Sequence, residues 1–350
     1  MKSKKWILLL ALPPALLLLG CLNWLTNWER ERMADPVMSR NITEREQYRP
    51  DAWSEEIVTQ DETTIWYEDR VRERFPSSGN AERMAYMLQG WKNFCACIPE
   101  GVDSCLVSIP VPILFEKEGA EDYRFYQDFI EGLSVGAGAE SSVVDLYEAL
   151  AVHKEEYIYY SETKALTNLG GYYAADGLLE AMGEEGLPAL SEYEEELYYG
   201  TDALSELTYL YSLPGSRGYC ELFTVEEDGE IRSRRKPILR KNGAGSGSVI
   251  AGTASRYNWA VAEGSGGEEK GVLLLIGDSS AKAMVPFLAE HFQQVYYVFL
   301  NLDSCFGTEY HPIDRIFEEY DVRSVVYAQW ASDIGRAGEM AAFNELCRKK

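Results

Sequence analysis

The residues best suited to chemistry are Gly277-Asp278-Ser279-Ser280. An apolar run precedes them and a helix-like pattern follows. A serine at such a strand-to-helix turn presents its hydroxyl at the rim of a sheet. The helix start supplies backbone N–H groups and the positive end of the helix dipole, which can hold an oxyanion. Gly277 permits the sharp turn. The chemistry this pattern serves is acyl transfer, with Ser279 as nucleophile and Gly277, Asp278 and Ser280 forming the substrate and oxyanion pocket. The same tetrapeptide also reads as a plain helix cap made by Asp278 or Ser279.

A serine hydroxyl is a weak nucleophile without an adjacent base. The chain has three histidines, His153, His291 and His311. His291 falls twelve residues beyond Ser279, about 18 Å along a helix. His153 precedes an expected strand at 157 to 160, which puts it at the N-terminal end of the sheet. His311 sits on the loop after an expected strand at 295 to 300, at the C-terminal edge where ligands bind in open α/β sheets. It is the first candidate base. Lys164 is the second, since a buried lysine can take that role. Glu162 and Asp303 rank below both.

No metal or cofactor is expected. Three histidines and a Cys95-Ala96-Cys97 without a second pair give no transition-metal ligand set. Gly243-Ala244-Gly245-Ser246-Gly247-Ser248 lacks the Gly-Lys-Ser/Thr ending of a phosphate loop and reads as a flexible turn. Cys95, Cys97, Cys105, Cys220, Cys305 and Cys347 fit either one or two disulfides or isolated buried thiols.

The elements that must position these residues alternate in type. Strands are expected at 105 to 109, 142 to 146, 157 to 160, 272 to 276, 295 to 300 and 324 to 327. Helices are expected at 121 to 133, 147 to 154, 169 to 182, 280 to 291 and 312 to 320. Such alternation predicts an α/β fold, a mainly parallel sheet covered on both faces in three layers. Residues 190 to 262 break the rhythm and read as an irregular, partly β insertion. Its basic patch, Arg232-Ser233-Arg234-Arg235-Lys236, reads as a solvated hairpin or as a contact for an anionic envelope polymer. Residues 27 to 90 read as a stalk leading into helices, and 91 to 350 as the α/β domain.

The N-terminus sets the address. Lys2, Lys4 and Lys5 precede an apolar run from Trp6 to Leu25, about 20 residues and enough to span a bilayer. Residues 1 to 26 therefore read as a membrane anchor with a cytoplasmic N-terminus and the remainder outside. The alternatives are a cleaved signal peptide and a lipoprotein signal ending at Cys21. The chain of 350 residues is 46% hydrophobic, which excludes global disorder. Its 57 acidic and 33 basic residues give a net charge of −24. That balance disfavours nucleic acid, whose phosphates need Lys and Arg.

Two stretches together carry a resemblance. "LLLIGDSSAKAMVPFLAEHF" resembles the serine block of the DHHW family, within the SGNH-like proteins. Upstream, Tyr159-Tyr160, Thr167, Leu169-Gly170 and Tyr172-Tyr173 keep the frame of that family's name motif. The resemblance implies an SGNH hydrolase-like fold and O-acyl transfer or esterase chemistry on an envelope glycan, beside a membrane-bound O-acyltransferase. The motif's Asp-His-His-Trp falls on Thr163-Lys164-Ala165-Leu166, so the implied Asp and His positions hold Thr163 and Ala165. The expectation is a catalytically degenerate member that serves as a binding or accessory component. The alternative is an active O-acetyltransferase or esterase that uses Ser279 with a base foreign to the family.

Overall fold

A computed structural model describes residues 54 to 138, 141 to 160, 163 to 199, 207 to 212, 224 to 225, 231 to 232, 259 to 264, 266 to 300 and 313 to 337, with Met340 and Leu346. It opens with β1 (Ile57–Gln60), β2 (Thr64–Tyr67) and β3 (Val71–Glu73), an antiparallel sheet in that order. Then follow α1 (Asn80–Cys95), β4 (Asp103–Ile109), α2 (Ala120–Ala137), β5 (Ser142–Asp145), α3 (Tyr147–Ala151) and α4 (Asn168–Ala181). Two short pairs come next: β6 (Glu194–Tyr199) with β7 (Leu207–Ser212), and β8 (Thr224–Val225) with β9 (Ile231–Arg232). The chain then forms β10 (Trp259–Glu263), β11 (Val272–Gly277), α5 (Ser279–His291), β12 (Gln294–Phe299), α6 (Ile313–Glu319) and β13 (Val322–Trp330).

Six strands make the central sheet, in the order β10-β12-β11-β13-β4-β5. Every neighbouring pair is parallel except β10 with β12. The sequence of β11, Val-Leu-Leu-Leu-Ile-Gly, is buried at all six positions, as a parallel strand covered on both faces requires. Alternate residues serve opposite cores. Leu273 and Leu275 pack with α4 and α5, whereas Leu274 and Ile276 pack with α1, α2 and α6. The result is three layers, helix on sheet on helix.

The structure departs from the sequence-based reading in three places. Residues 157 to 160 form no strand of the sheet; Tyr159 makes a single antiparallel bridge to Leu166. The segment folds back on its own continuation, with the Tyr160 N–H donating to the Ala165 carbonyl and the Thr167 N–H to that of Ile158. Local turn bonds satisfy its backbone, so β5 stays at the edge. Residues 57 to 73 are strands rather than stalk or helix. The buried Ile65, Tyr67 and Arg72 explain why this polar stretch folds. The end of the insertion, β10, joins the main sheet as its antiparallel edge. Cys95, Cys97 and Cys105 are free thiols. Residues 1 to 53, the basic patch beyond Arg232 and the 243 to 248 turn lie outside the described residues. Among the described residues, no helix is long and apolar enough to cross a membrane.

Near its C-terminus α5 holds a buried carboxyl. Glu290 Oε2 accepts a hydrogen bond from the Tyr193 hydroxyl at 2.7 Å, while Oε1 is buried with no partner among the described residues. Burial pushes its pKa up from 4.5 to about 7. The folded state therefore holds this proton more tightly than the unfolded chain does. The stability this confers is complete below pH 4.5 and is lost as pH rises towards 7. Glu290→Gln keeps the acceptor for Tyr193 and removes the ionisation. Urea denaturation at pH 5 and pH 8 should show the variant more stable at pH 8, by on the order of 2 kcal/mol. Equal pH dependence in both proteins would exclude this assignment.

Candidate functional site

The site is built where β11 ends. Gly277 is required there by close approach: a Cβ at this position would lie 2.1 Å from the Ala328 carbonyl oxygen of β13. Asp278 follows in extended backbone and caps α5. Its Oδ1 accepts from the Ser280 N–H at 2.9 Å, from the Ala281 N–H at 3.4 Å and from the Ser280 hydroxyl. Its Oδ2 accepts from the Trp330 N–H at 2.9 Å. The Tyr297 hydroxyl donates to the Asp278 carbonyl at 2.7 Å. Asp278 and Ser280 are buried, and Ser279 is exposed. Burial pushes the Asp278 carboxyl up to about 6, with the Asp333 charge acting in the same direction.

This geometry separates the two roles proposed for the tetrapeptide. Asp278 is a structural cap whose carboxylate faces inward. Ser280 is buried with its N–H committed to Asp278, so it does not form an oxyanion pocket as expected. Gly277 serves the close approach to β13. Only Ser279, the first residue of α5, presents its side chain to solvent at the sheet rim, as a nucleophile must. Among the described residues, no side chain makes a hydrogen bond to its hydroxyl.

Lys164 reaches the same rim through residues that the sequence reading did not single out. Its Nζ lies 2.9 Å from Asp333 Oδ2 and 3.3 Å from Glu73 Oε2. It also donates to Asp333 Oδ1 at 3.1 Å and to Ser332 Oγ at 3.2 Å. Its ammonium stands 5.0 Å from the centre of the Trp330 ring, within cation–π range. The backbone N–H of the same Trp330 binds Asp278, so Lys164 is one residue removed from the cap. Its donors point at carboxylates and a hydroxyl, not at Ser279. The signal for Ser332 and Asp333 was their place just after β13, at the C-terminal edge. For Glu73 there was no signal, because β3 approaches from a separate sheet.

The other candidates are accounted for individually. His153 does not sit at the N-terminal end of the sheet, since the strand that placed it there is absent. The adjoining residues 154 to 156 line a cavity with 115 to 118, which follow β4 beyond its C-terminal end. The His153 ring stacks on Tyr173 at 3.4 Å between centres, and Nδ1 lies 2.6 Å from Glu156. His291 ends α5, with Nε2 3.0 Å from Glu184. Thr163 accepts from the Ala165 N–H at 3.1 Å, and Thr167 caps α4 by accepting from the Gly170 N–H at 3.2 Å. His311, Asp303 and Glu162 lie outside the described residues. No group of three or more potential metal ligands occurs among the described residues.

No protein-family model and no curated protein matches the sequence. Solved structures do match it. A DHHW family protein from Eubacterium siraeum is 17% identical and superposes with a TM-score of 0.60, over 84% of this chain and 99% of its own. Bacillus cereus PatB1, solved with a sulfonyl adduct, is 11% identical with a TM-score of 0.60, over 81% of this chain and 99% of its own. At such identities the likeness shows the fold alone: an α/β architecture shared with a DHHW family protein and with PatB1.

Breaking the Lys164 cluster has a defined cost. Side-chain exposure is 14% for Lys164 and 6% for Asp333, so Lys164→Met leaves a buried carboxylate with one fewer cation. Arg336 Nη1, 2.9 Å from Asp333 Oδ1, compensates in part. Urea denaturation of Lys164→Met should show a loss of about 1–3 kcal/mol. An unchanged midpoint would show that the cluster contributes nothing net.

Proposed function

We propose that this is an extracytoplasmic protein of the cell envelope, held at the membrane by its N-terminal apolar segment or by lipidation of Cys21. On this reading it keeps an SGNH-like scaffold but lacks a working acyl-transfer triad. It serves as a binding or accessory component in O-acylation of an envelope polysaccharide, beside a membrane-bound O-acyltransferase. The observation that carries the reading is the state of Lys164. It occupies the first-histidine position of the resembled motif, and Asp333, Ser332 and Glu73 engage it. The motif's Asp and second His positions hold Thr163 and Ala165, neither of which can accept a proton from Ser279. Loss of triad members leaves only the rate owed to binding and oxyanion stabilisation.

One observation favours the second reading, an active esterase or O-acetyltransferase: Ser279 is exposed at a helix N-terminus on the sheet rim. Covalent labelling separates the two. PatB1 carries a sulfonyl adduct, so sulfonyl fluoride is a suitable probe, with fluorophosphonate as a second. The detergent-solubilised intact chain should show no labelling above Ser279→Ala and no turnover of p-nitrophenyl acetate. The double variant Thr163→Asp/Ala165→His should gain labelling at Ser279. Stoichiometric labelling of the unaltered chain, abolished in Ser279→Ala, would establish the enzyme reading instead.

A further inference from the structure

The small sheet ends in a strand that has no side-chain core of its own. All four residues of β1 are exposed, Val58 at 66% and Ile57 at 37%. The sheet is buried through β2 and β3 instead, by Ile65, Tyr67 and Arg72. Anchors at its two ends hold β1 extended. Before it, the Ser54 N–H donates to Asp69 at 2.7 Å, and the Ser54 carbonyl accepts from the buried Arg70 at 2.6 Å. After it, Asp61 Oδ1 accepts from the N–H groups of Thr63 and Thr64, both at 2.7 Å. The Asp61 N–H in turn donates to the Thr64 carbonyl at 3.0 Å. β1 pairs with β2 on one side, and among the described residues no strand runs along the other.

Such an open edge is a template for another extended chain. Natural edges are closed by lysine, proline, bulges or charges. β1 contains neither lysine nor proline. Its register shifts so that Ile57 and Val58 together oppose Tyr67, the two-against-one pattern of a bulge. Two exposed β-branched apolar residues therefore stand at one position of the ladder. The charges that flank them are all of one sign. Glu55 and Glu56 precede the strand, Asp61 and Glu62 follow it, and no basic residue occurs between 54 and 69. All four acidic residues are exposed, and among the described residues Glu55, Glu56 and Glu62 enter no ion pair.

These charges decide what the edge can accept. A second copy of β1 laid alongside, in either direction, sets carboxylates against carboxylates, and like charges across a strand pair repel. A basic strand meets the opposite situation. The end anchors also mean that little backbone freedom remains to be lost when a strand is added. We infer that the outer edge of β1 docks an extended basic segment of a partner protein, with an apolar pair flanked on both sides by lysine or arginine. The two backbones pair as an added strand. The apolar pair covers Ile57 and Val58, and the flanking cations meet the carboxylates at each end. In the order β1-β2-β3, it is β3 that carries Glu73 to Lys164. A docked strand thus extends the small sheet away from the Lys164 cluster.

The test uses the intact detergent-solubilised chain and a synthetic peptide, Arg-Arg-Thr-Val-Ile-Thr-Lys-Lys. Fluorescence anisotropy should give a dissociation constant on the order of 10–100 μM. Hydrogen exchange should slow at residues 57 to 60 when the peptide is bound. The same peptide N-methylated through its centre keeps its charges and side chains but cannot pair, and it should not bind. Glu55→Lys/Glu62→Lys should weaken binding by about tenfold, and Val58→Thr by about threefold. Melting temperatures should not change, since these side chains bury nothing. Should a variant melt early, the N-methylated peptide and hydrogen exchange on the unaltered chain decide alone. Equal binding of the N-methylated peptide, or unchanged exchange at 57 to 60, would overturn the added strand. A dimer of the unaltered chain that Val58→Thr dissolves would assign the edge to a second copy instead. Binding seen only in Arg234→Glu/Arg235→Glu would assign it to the chain's own basic segment. Either result overturns a partner at this edge.

Discussion

The Asp278 carboxylate is the joint on which this edge of the molecule depends. One oxygen closes the first turn of α5, and the other holds the Trp330 N–H at the end of β13. A helix on one face of the sheet and a strand within it are thereby fixed by a single group. Burial penalises its charged form, and its acceptor bonds offset that penalty. The orientation of Ser279 follows. With Asp278 and Ser280 turned inward, the residue between them faces solvent.

The same joint organises the surroundings of Lys164. Trp330 gives its backbone to Asp278 and its ring face to the Lys164 ammonium. Asp333 lies just beyond, in a turn that Arg83 anchors by donating to the Ala331 carbonyl at 2.8 Å and the Ile334 carbonyl at 3.1 Å. Segments around 73, 83, 164 and 333 thus converge on one rim. An imidazole is neutral or cationic within the physiological range and can carry a proton between two atoms. An ammonium between two carboxylates serves a different purpose, which is to tie three chain segments together.

How much of this was legible in the sequence depended on the range of the interaction. The strands that became β4, β11 and β13 are short apolar runs, and burial on both faces leaves that signature wherever they pair. Two helices carry their caps locally, α4 in Thr167 and α5 in Asp278. The misread segments were decided elsewhere. Tyr159 and Tyr160 look like strand residues, yet their segment bonds back on itself, Tyr160 to Ala165 and Ile158 to Thr167. The polar stretch at 57 to 73 reads as stalk until Arg72 is seen buried against Glu116. The serine turn was visible because it is contiguous. The Glu73–Lys164–Asp333 cluster was not, since its members are separated by 91 and 169 residues. No local pattern encodes that meeting.

The tetrapeptide that signals catalysis is largely explained without it. Gly277 is imposed by the Ala328 carbonyl, Asp278 by the cap and by Trp330, and Ser280 by its buried bond to Asp278. Three of the four motif residues are thus held by contacts that build this edge. Ser279 is different, because it is exposed and supports nothing in the described structure. A motif match here therefore measures the scaffold more than the reaction, and chemistry can lapse while the signature remains. Position 279 is where the two causes separate.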